Sequence, residues 1–221
     1  MKFLTLNTHS WMEKDPQEKF RLLLQDILEQ DYDLICFQEI NQEISSTLAE
    51  TDELYHSLPS SEPIHQDHYI YLLVQELKKA GREYYWTWAY NHIGYDRYHE
   101  GVGILSKNPI QAREILVSDV DDPTDYHTRR VALVETTVDG KDLAVASVHL
   151  SWWDKGFQEE WARFESVLTD LNKPLLLAGD FNNPAGQEGY QTILASPLSL
   201  QDAYEAAQER SGSYTVPPEI D

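Results

Sequence analysis

The sequence predicts a layered α/β fold with mixed sheets. Three observations carry this. Short strand-like runs outnumber helical ones. Asp139-Gly140 marks a tight hairpin, which makes its flanking strands antiparallel neighbours. YDLICFQ and PLLLA are apolar on both faces, as strands buried inside a sheet are.

The elements follow in order. Lys2 to Thr8 reads as a strand. Asp15-Pro16-Gln17-Glu18 is a helix start, with an acid at the N-cap and Pro at the first helical position. Phe20, Leu23, Leu24, Ile27 and Leu28 then recur at helical spacing. Tyr32 to Gln38 reads as a buried strand, and Asn41 to Gln66 is polar without a clear period. Asp67 to Ala80 reads as a second helix, stopped by Gly81. Tyr84–Asn91, Gly101–Leu105, Ile110–Val117, Arg130–Val138 and Asp142–Leu150 read as strands. Phe157 to Leu171 is a helix with Trp161, Phe164, Val167, Leu168 and Leu171 inward, and Pro174 to Ala178 is a last buried strand. A helix is expected around Gln201–Gln208, with Asp202 structural. Trp86 and Trp88 alternate in a strand as core residues do, and Cys36 is expected to be buried and inert.

Length and composition bound the function. The 221 residues make one large domain at roughly 100–200 residues each. Only 17 Lys and Arg face 38 Asp and Glu, a net charge of −21. That disfavours a general nucleic-acid binder or an anionic membrane surface, because affinity for phosphate backbones comes from basic residues. A single cysteine rules out an internal disulfide and fits a reducing cytoplasm. No apolar run reaches the roughly 20 residues of a membrane span, and the N-terminus lacks the apolar stretch of a secretion signal.

Polar residues cluster where the strands end: Asn7 and His9, then Glu39, then His149, then Asp180 and Asn182. Each alone has an ordinary structural explanation. Together they flank apolar strands that must pack side by side, and open sheets place ligands at strand ends. Glu39 is a hard oxygen ligand suited to Mg²⁺. Asp180 can orient or deprotonate a water. His149 and Asn182 can donate hydrogen bonds to phosphate oxygens. Neither a cysteine cluster, a His-x-x-x-His pair nor a Walker loop is present.

LTLNTH at 4–9, FQEI at 37–40, GVGILSK at 101–107, SVHL at 147–150 and GDFN at 179–182 occur in an order that resembles the endonuclease/exonuclease/phosphatase superfamily. The resemblance implies a four-layer α/β sandwich, two mixed β-sheets face to face flanked by helices. It implies a Mg²⁺-dependent phosphoesterase, with Mn²⁺ as a substitute. Carried over by motif, Glu39 ligates Mg²⁺, Asn7 supports the metal network, His149 contacts the scissile phosphate, Asp180 handles the attacking water and Asn182 orients the same network. Arg129 and Arg130 precede a strand in the family's style and can bind phosphate. One departure stands out. The family closes with an aspartate-containing strand segment and a Ser-Asp-His motif, and this sequence ends at TVPPEID before either. The expectation is therefore a single domain over 1–221 that is C-terminally incomplete, two core strands short and weakly active.

For the substrate, the aromatic residues weigh most. Trp152-Trp153-Asp154 follows His149 closely, and Tyr95, Tyr98 and His99 precede GVGILSK. Aromatic faces beside a carboxylate suit a sugar. NTHSW at 7–11, VHLSWWD and the closing YTVPPEID resemble bacterial maltose 6′-phosphate phosphatases within the superfamily. The expectation is a cytoplasmic phosphatase acting on a small phosphate ester, a phosphorylated disaccharide, with Arg130, Trp153, Tyr98 and His9 on the substrate. The rival expectations are a Mg²⁺-dependent nuclease or phosphodiesterase, and an inactive binding protein of the same fold.

Overall fold

The structure is a computed structural model that describes residues 1–216. Residues 217–221 of the closing YTVPPEID stretch lie outside the described residues. The chain divides into two compact units, Met1–Asn182 and Asn183 onward.

The first unit holds two mixed sheets. One has the order β1 (Phe3–Asn7), β2 (Leu34–Glu43), β5 (Tyr98–Ser106), β4 (Tyr85–Gly94), β3 (Tyr55–His56). The other runs β6 (Gln111–Leu116), β7 (Arg130–Val138), β8 (Lys141–His149), β9 (Leu175–Asp180). In the first, β1 and β2 are parallel while β2, β5 and β4 pair antiparallel. In the second, the expected hairpin joins β7 to β8, and β9 runs parallel to β8.

The sheets pack face to face. Leu34, Cys36, Ala89, Val102 and Ile104 of the first meet Ala132, Val134, Val145 and Ala178 of the second in one buried cluster. Near its upper edge the Ser147 hydroxyl donates to the Phe37 carbonyl at 3.1 Å, and Gln38 Nε2 donates to that hydroxyl at 3.1 Å. The Cys36 thiol is fully buried and its pKa is pushed up by that burial, away from reactivity.

A second cluster lies on the other face of the first sheet, under α1 (Pro16–Gln30) and α2 (Tyr69–Lys79). Trp11, in a 3₁₀ turn after β1, pins both helices: its ring sits 5.9 Å from Phe20 and 4.8 Å from Tyr69, and its indole N–H donates to the Asp67 carbonyl at 2.7 Å. α3 (Phe157–Leu168) buries Phe157, Trp161, Phe164 and Leu168, so both sheets and helices match the layered expectation. It stops short of the expected Leu171, and Val167 and Leu171 are only partly buried. Two further details differ. Asp15 takes a left-handed conformation at φ 57° and makes no side-chain cap, so Pro16 alone starts α1 well. The polar stretch 41–66 contains the end of β2 and the two-residue β3.

The second unit carries α4 (Glu188–Leu194), which the apolar pattern did not announce, and α5 (Ala203–Ala206). Asp202 is structural as expected: it caps α5 through Tyr204 N at 2.7 Å and accepts from the Tyr190 hydroxyl at 2.9 Å.

Burial of one histidine in the core gives a pH dependence of stability. His68 is fully buried; its Nδ1 accepts from Tyr71 N at 3.2 Å at the start of α2, and its ring meets Trp88 edge-on at 4.8 Å. Burial, with His65 adding, pushes its pKa down to about 3 from 6.5. A depressed histidine stabilises the fold above 6.5, and that contribution is lost as pH falls toward 3. Lowering the pH from 7 to 5 should remove about 2 kcal/mol through this residue. His68→Asn keeps a capping side chain and should show a correspondingly flatter pH slope in urea unfolding. An unchanged slope would assign the acid sensitivity elsewhere.

Candidate active site

The site is built from parallel strand ends. Asn7, the last residue of β1, pairs with Gln38 midway along β2, which runs past the expected end at Gln38 to Glu43, and His149 pairs with Asp180 at the ends of β8 and β9. The Asn7 amide joins the two sheets: its Nδ2 donates to Glu39 Oε1 at 2.8 Å and to Asp180 Oδ2 at 3.0 Å. Its Oδ1 accepts from His9 N at 3.1 Å, which fixes the orientation of the amide.

Local backbone conformation aims these groups. Phe37 faces Gly103 and Ile40 faces Gly101, so Gln38 and Glu39 together oppose Val102 in a β-bulge. Glu39 sits there at φ 55°, and the Ser10 hydroxyl holds its carbonyl at 2.7 Å. The bulge turns Glu39 out of the strand's alternation and toward Asn7. On the other sheet, Asp180 Oδ1 accepts from Asn182 N at 2.9 Å, an Asx-turn, with Asn182 at φ 51°. Asn182 Nδ2 donates to the Leu150 carbonyl at 2.8 Å, so the GDFN turn is tied to the end of β8.

His149 is buried, with Nε2 3.9 Å from Glu39 Oε1, beyond hydrogen-bond length. Burial pushes its pKa well down, the charge of Arg129 adds to this, and Asp180 opposes it. The imidazole is therefore neutral at pH 7, one nitrogen a donor and the other an acceptor. Asn7, Glu39, His149, Asp180 and Asn182 thus come together from five separate chain positions.

Several further groups escaped the sequence reading. His92, Glu100 and Asn41 stand in one row across β4, β5 and β2. His92 Nδ1 lies 3.3 Å from the Thr128 carbonyl, and Nε2 lies 3.6 Å from Glu100 Oε1. Burial, with Glu39 adding, lifts the Glu100 carboxyl to about 7. Burial, with Arg129 adding, lowers His92 to about 4. Asn41 is fully buried and both its amide atoms lack a partner. A bulge between Tyr90 and His92 sets this row, and bulges leave no mark in an alternation pattern.

The arginines need a correction. Arg130 is buried and engaged: Nη1 donates to the Tyr90 carbonyl at 3.2 Å, Nη2 pairs with Asp121, and Nε lies 4.0 Å from Glu114. Its neighbour Arg129 is the one whose charge bears on His149, His92 and Glu100. The Nε and Nη1 of Arg129 are buried without a hydrogen-bond partner. Adjacent residues of a strand point to opposite faces, which separates the two fates.

The aromatic expectations also shift. Tyr98 is buried under the Arg97 guanidinium, 5.0 Å from the ring centre, and offers no open face. Trp153 is half-buried and leans on Phe157 with ring centres 6.1 Å apart. His9 lies beside the site through its bond to Asn7, with Nδ1 3.7 Å from Glu13.

The donor set fits a hard divalent cation. Glu39 and Asp180 supply carboxylates on either side of one amide. Mg²⁺ binds through one or two carboxylates and keeps several waters. Among the described residues no group of three or more His, Cys, Asp or Glu forms a ready-made cage of the kind a fully protein-ligated ion requires.

Known proteins place this geometry. A protein of Leptotrichia buccalis, described as an endonuclease/exonuclease/phosphatase family protein, is similar at 27% identity and a TM-score of 0.78, over 95% of this chain and 76% of that one. The human Nocturnin catalytic domain with bound sulfate shares the fold at 18% identity and TM-score 0.63, over 90% and 71%. Danio rerio TDP2 complexed with a single-strand DNA product does so at 16% identity and TM-score 0.56, over 92% and 67%. No curated protein matches the chain. No helix among the described residues is long and apolar enough to cross a membrane. Residues 11–219 match the Endonuclease/Exonuclease/phosphatase family, whose members are hydrolases that generally depend on a divalent metal, and the chain belongs to that family.

Proposed function

We propose that this chain is a Mg²⁺-dependent phosphomonoesterase of the cytoplasm that hydrolyses a sugar phosphate such as maltose 6′-phosphate. The observation that carries the reading is Arg129, a partly buried residue whose Nε and Nη1 are themselves buried without a hydrogen-bond partner and whose charge bears on His149. Guanidinium nitrogens buried without a partner are costly unless an anion meets them, and a phosphate presents oxygens in the geometry a guanidinium matches. The charge of −21 supports a small substrate over a nucleic acid or an anionic membrane.

The roles we assign are these. Glu39 would hold Mg²⁺, with Asp180 and the Asn7 amide beside it. The metal, when bound, supplies charge neutralisation on the phosphate oxygens; Mn²⁺ has the same preference for oxygen and would substitute. Arg129 binds the phosphate and neutral His149 donates a hydrogen bond to it. Asp180, fixed by Asn7 and Asn182, orients the attacking water and accepts its proton. The water oxygen bonds to phosphorus as the phosphorus–sugar oxygen bond breaks. The sugar leaves as the free alcohol on taking up one proton from solvent, Asp180 later returning its proton to solvent, and inorganic phosphate remains. Positioning and charge stabilisation carry most of the acceleration in such transfers.

The test is phosphate release from maltose 6′-phosphate, adenosine monophosphate and DNA, each with Mg²⁺ and with EDTA. Mg²⁺-dependent release from the sugar phosphate is expected. Cleavage of DNA alone would replace the reading with a nuclease. Arg129→Ala should lower kcat/KM by about 10²-fold without changing the unfolding transition. Wild-type kinetics in that variant would remove Arg129 from the phosphate.

A further inference from the structure

Within residues 1–182, the aromatic side chains more than a third exposed are Tyr95 at 62%, Tyr126 at 63% and Trp152 at 47%. All three stand at the end of the sheets that carries the site. Tyr95 is on the β4–β5 turn, Tyr126 on the β6–β7 connection that enters at Arg129, and Trp152 three residues beyond His149. The Tyr126 connection packs against the end of β4, where Ile93 N donates to the Pro123 carbonyl at 2.7 Å.

Two of the rings are presented by fixed backbone. Tyr95 and Asp96 both have positive φ, 55° and 53°, and Arg97 N closes the turn on the Gly94 carbonyl at 3.1 Å. That is a type I′ turn, which favours Asn and Gly at its centre. A bulky exposed ring there is strained without gaining burial, and such strain concentrates at functional sites. The phenol pKa is pushed up by partial burial and by the charges of Glu39 and Glu100. Trp152 follows Ser151, whose N and Oγ are both held by buried Glu160 at 2.8 and 2.7 Å. Each ring also has an aspartate within two residues: Asp96, Asp125 and Asp154.

We propose that Tyr95, Trp152 and Tyr126 form the subsite for the non-phosphate part of the substrate, and that this part is a neutral, hydroxyl-rich sugar ring. Aromatic faces cover the C–H surfaces of a sugar, and the neighbouring carboxylates accept from its hydroxyls. The same carboxylates repel a polyanion. The inference rests on the phosphoesterase reading, and it moves the stacking role from Tyr98 and Trp153 to exposed rings; Tyr126 packs on His127 with ring centres 3.9 Å apart, which leaves its other face for the sugar.

The test compares affinities for maltose 6′-phosphate and inorganic phosphate by calorimetry. It uses Mg²⁺ and the Asp180→Asn background, so that the ester survives. The sugar phosphate should bind about tenfold more tightly per ring engaged. Tyr95→Asn and Trp152→Ala together should lower the ratio about a hundredfold, to the share that Tyr126 supplies. Tyr95→Asn relieves the turn, so its melting temperature should not fall. A ratio near one before any rim substitution, or a ratio the two substitutions leave intact, would overturn the subsite while leaving the phosphoesterase reading standing. An equal gain with adenosine monophosphate would overturn the sugar. No binding of phosphate at all would overturn the functional reading itself, and the subsite with it.

Discussion

Asp180→Asn should lower kcat by about 10³-fold on whichever phosphate ester the unaltered chain hydrolyses. The substitution is isosteric. In the proposed mechanism it removes the basic oxygen that takes the proton of the attacking water, and it removes one of two acceptors. Asn182 N and Asn7 Nδ2 both donate to the carboxylate, at 2.9 and 3.0 Å. An amide offers a single oxygen to those two donors, so one bond is lost. That loss costs about 1 kcal/mol of stability, which a chain of this size tolerates. The expected pattern is an almost unchanged thermal transition with almost no phosphate release. Retention of wild-type kcat would assign the water to another base.

Gly179→Ala acts in the opposite way, on the fold before the chemistry. Gly179 has φ 140°, and a Cβ there would lie 2.1 Å from the Val148 carbonyl oxygen and 2.8 Å from Val148 N. Both are backbone atoms of the neighbouring strand β8, paired with Gly179 itself, and neither can rotate away. Strain at this φ adds to the overlap. A loss of at least about 3 kcal/mol is expected, which lowers the melting temperature by about 10 °C. Gly140→Ala is the control, because that hairpin glycine is at φ 73° with nothing within 4 Å of the added carbon. It should lose only about 1 kcal/mol. Equal melting temperatures for the two variants would show that β8 and β9 separate readily at this point.

The contrast between these glycines also marks what the sequence could tell. Asp139-Gly140 announces its turn through local chemistry, and the hairpin β7–β8 forms where that dipeptide predicts. The long strands and α1 to α3 were legible for the same reason: apolar period is a local property. Asn7, Glu39, His149, Asp180 and Asn182 were legible as polar residues at the ends of apolar runs. Arg130 rather than Arg129 was expected on the substrate, because only the partners Asp121, Glu114 and Tyr90 separate the two, and these lie in the β6–β7 connection, on β6 and on β4. His92, Glu100 and Asn41 were hidden by a bulge that shifts the phase of β4. Tyr98 and Tyr95 differ by three residues and by the whole depth of the surface. No periodicity inside a turn foretells that.

The Asn7 amide has one more consequence. It takes one carboxylate from each sheet, and each sheet is held together by its own ladder of hydrogen bonds. A chain whose two sheets are complete but slid by a few ångströms would keep each candidate residue in its place along the chain and still not assemble the candidate site. Competence therefore reports on docking rather than on secondary structure. If the proposed phosphoesterase site is right, changes to the small side chains between the sheets, such as Ala89, Ala132 and Ala178, should tune turnover from a distance by altering how closely the two layers settle.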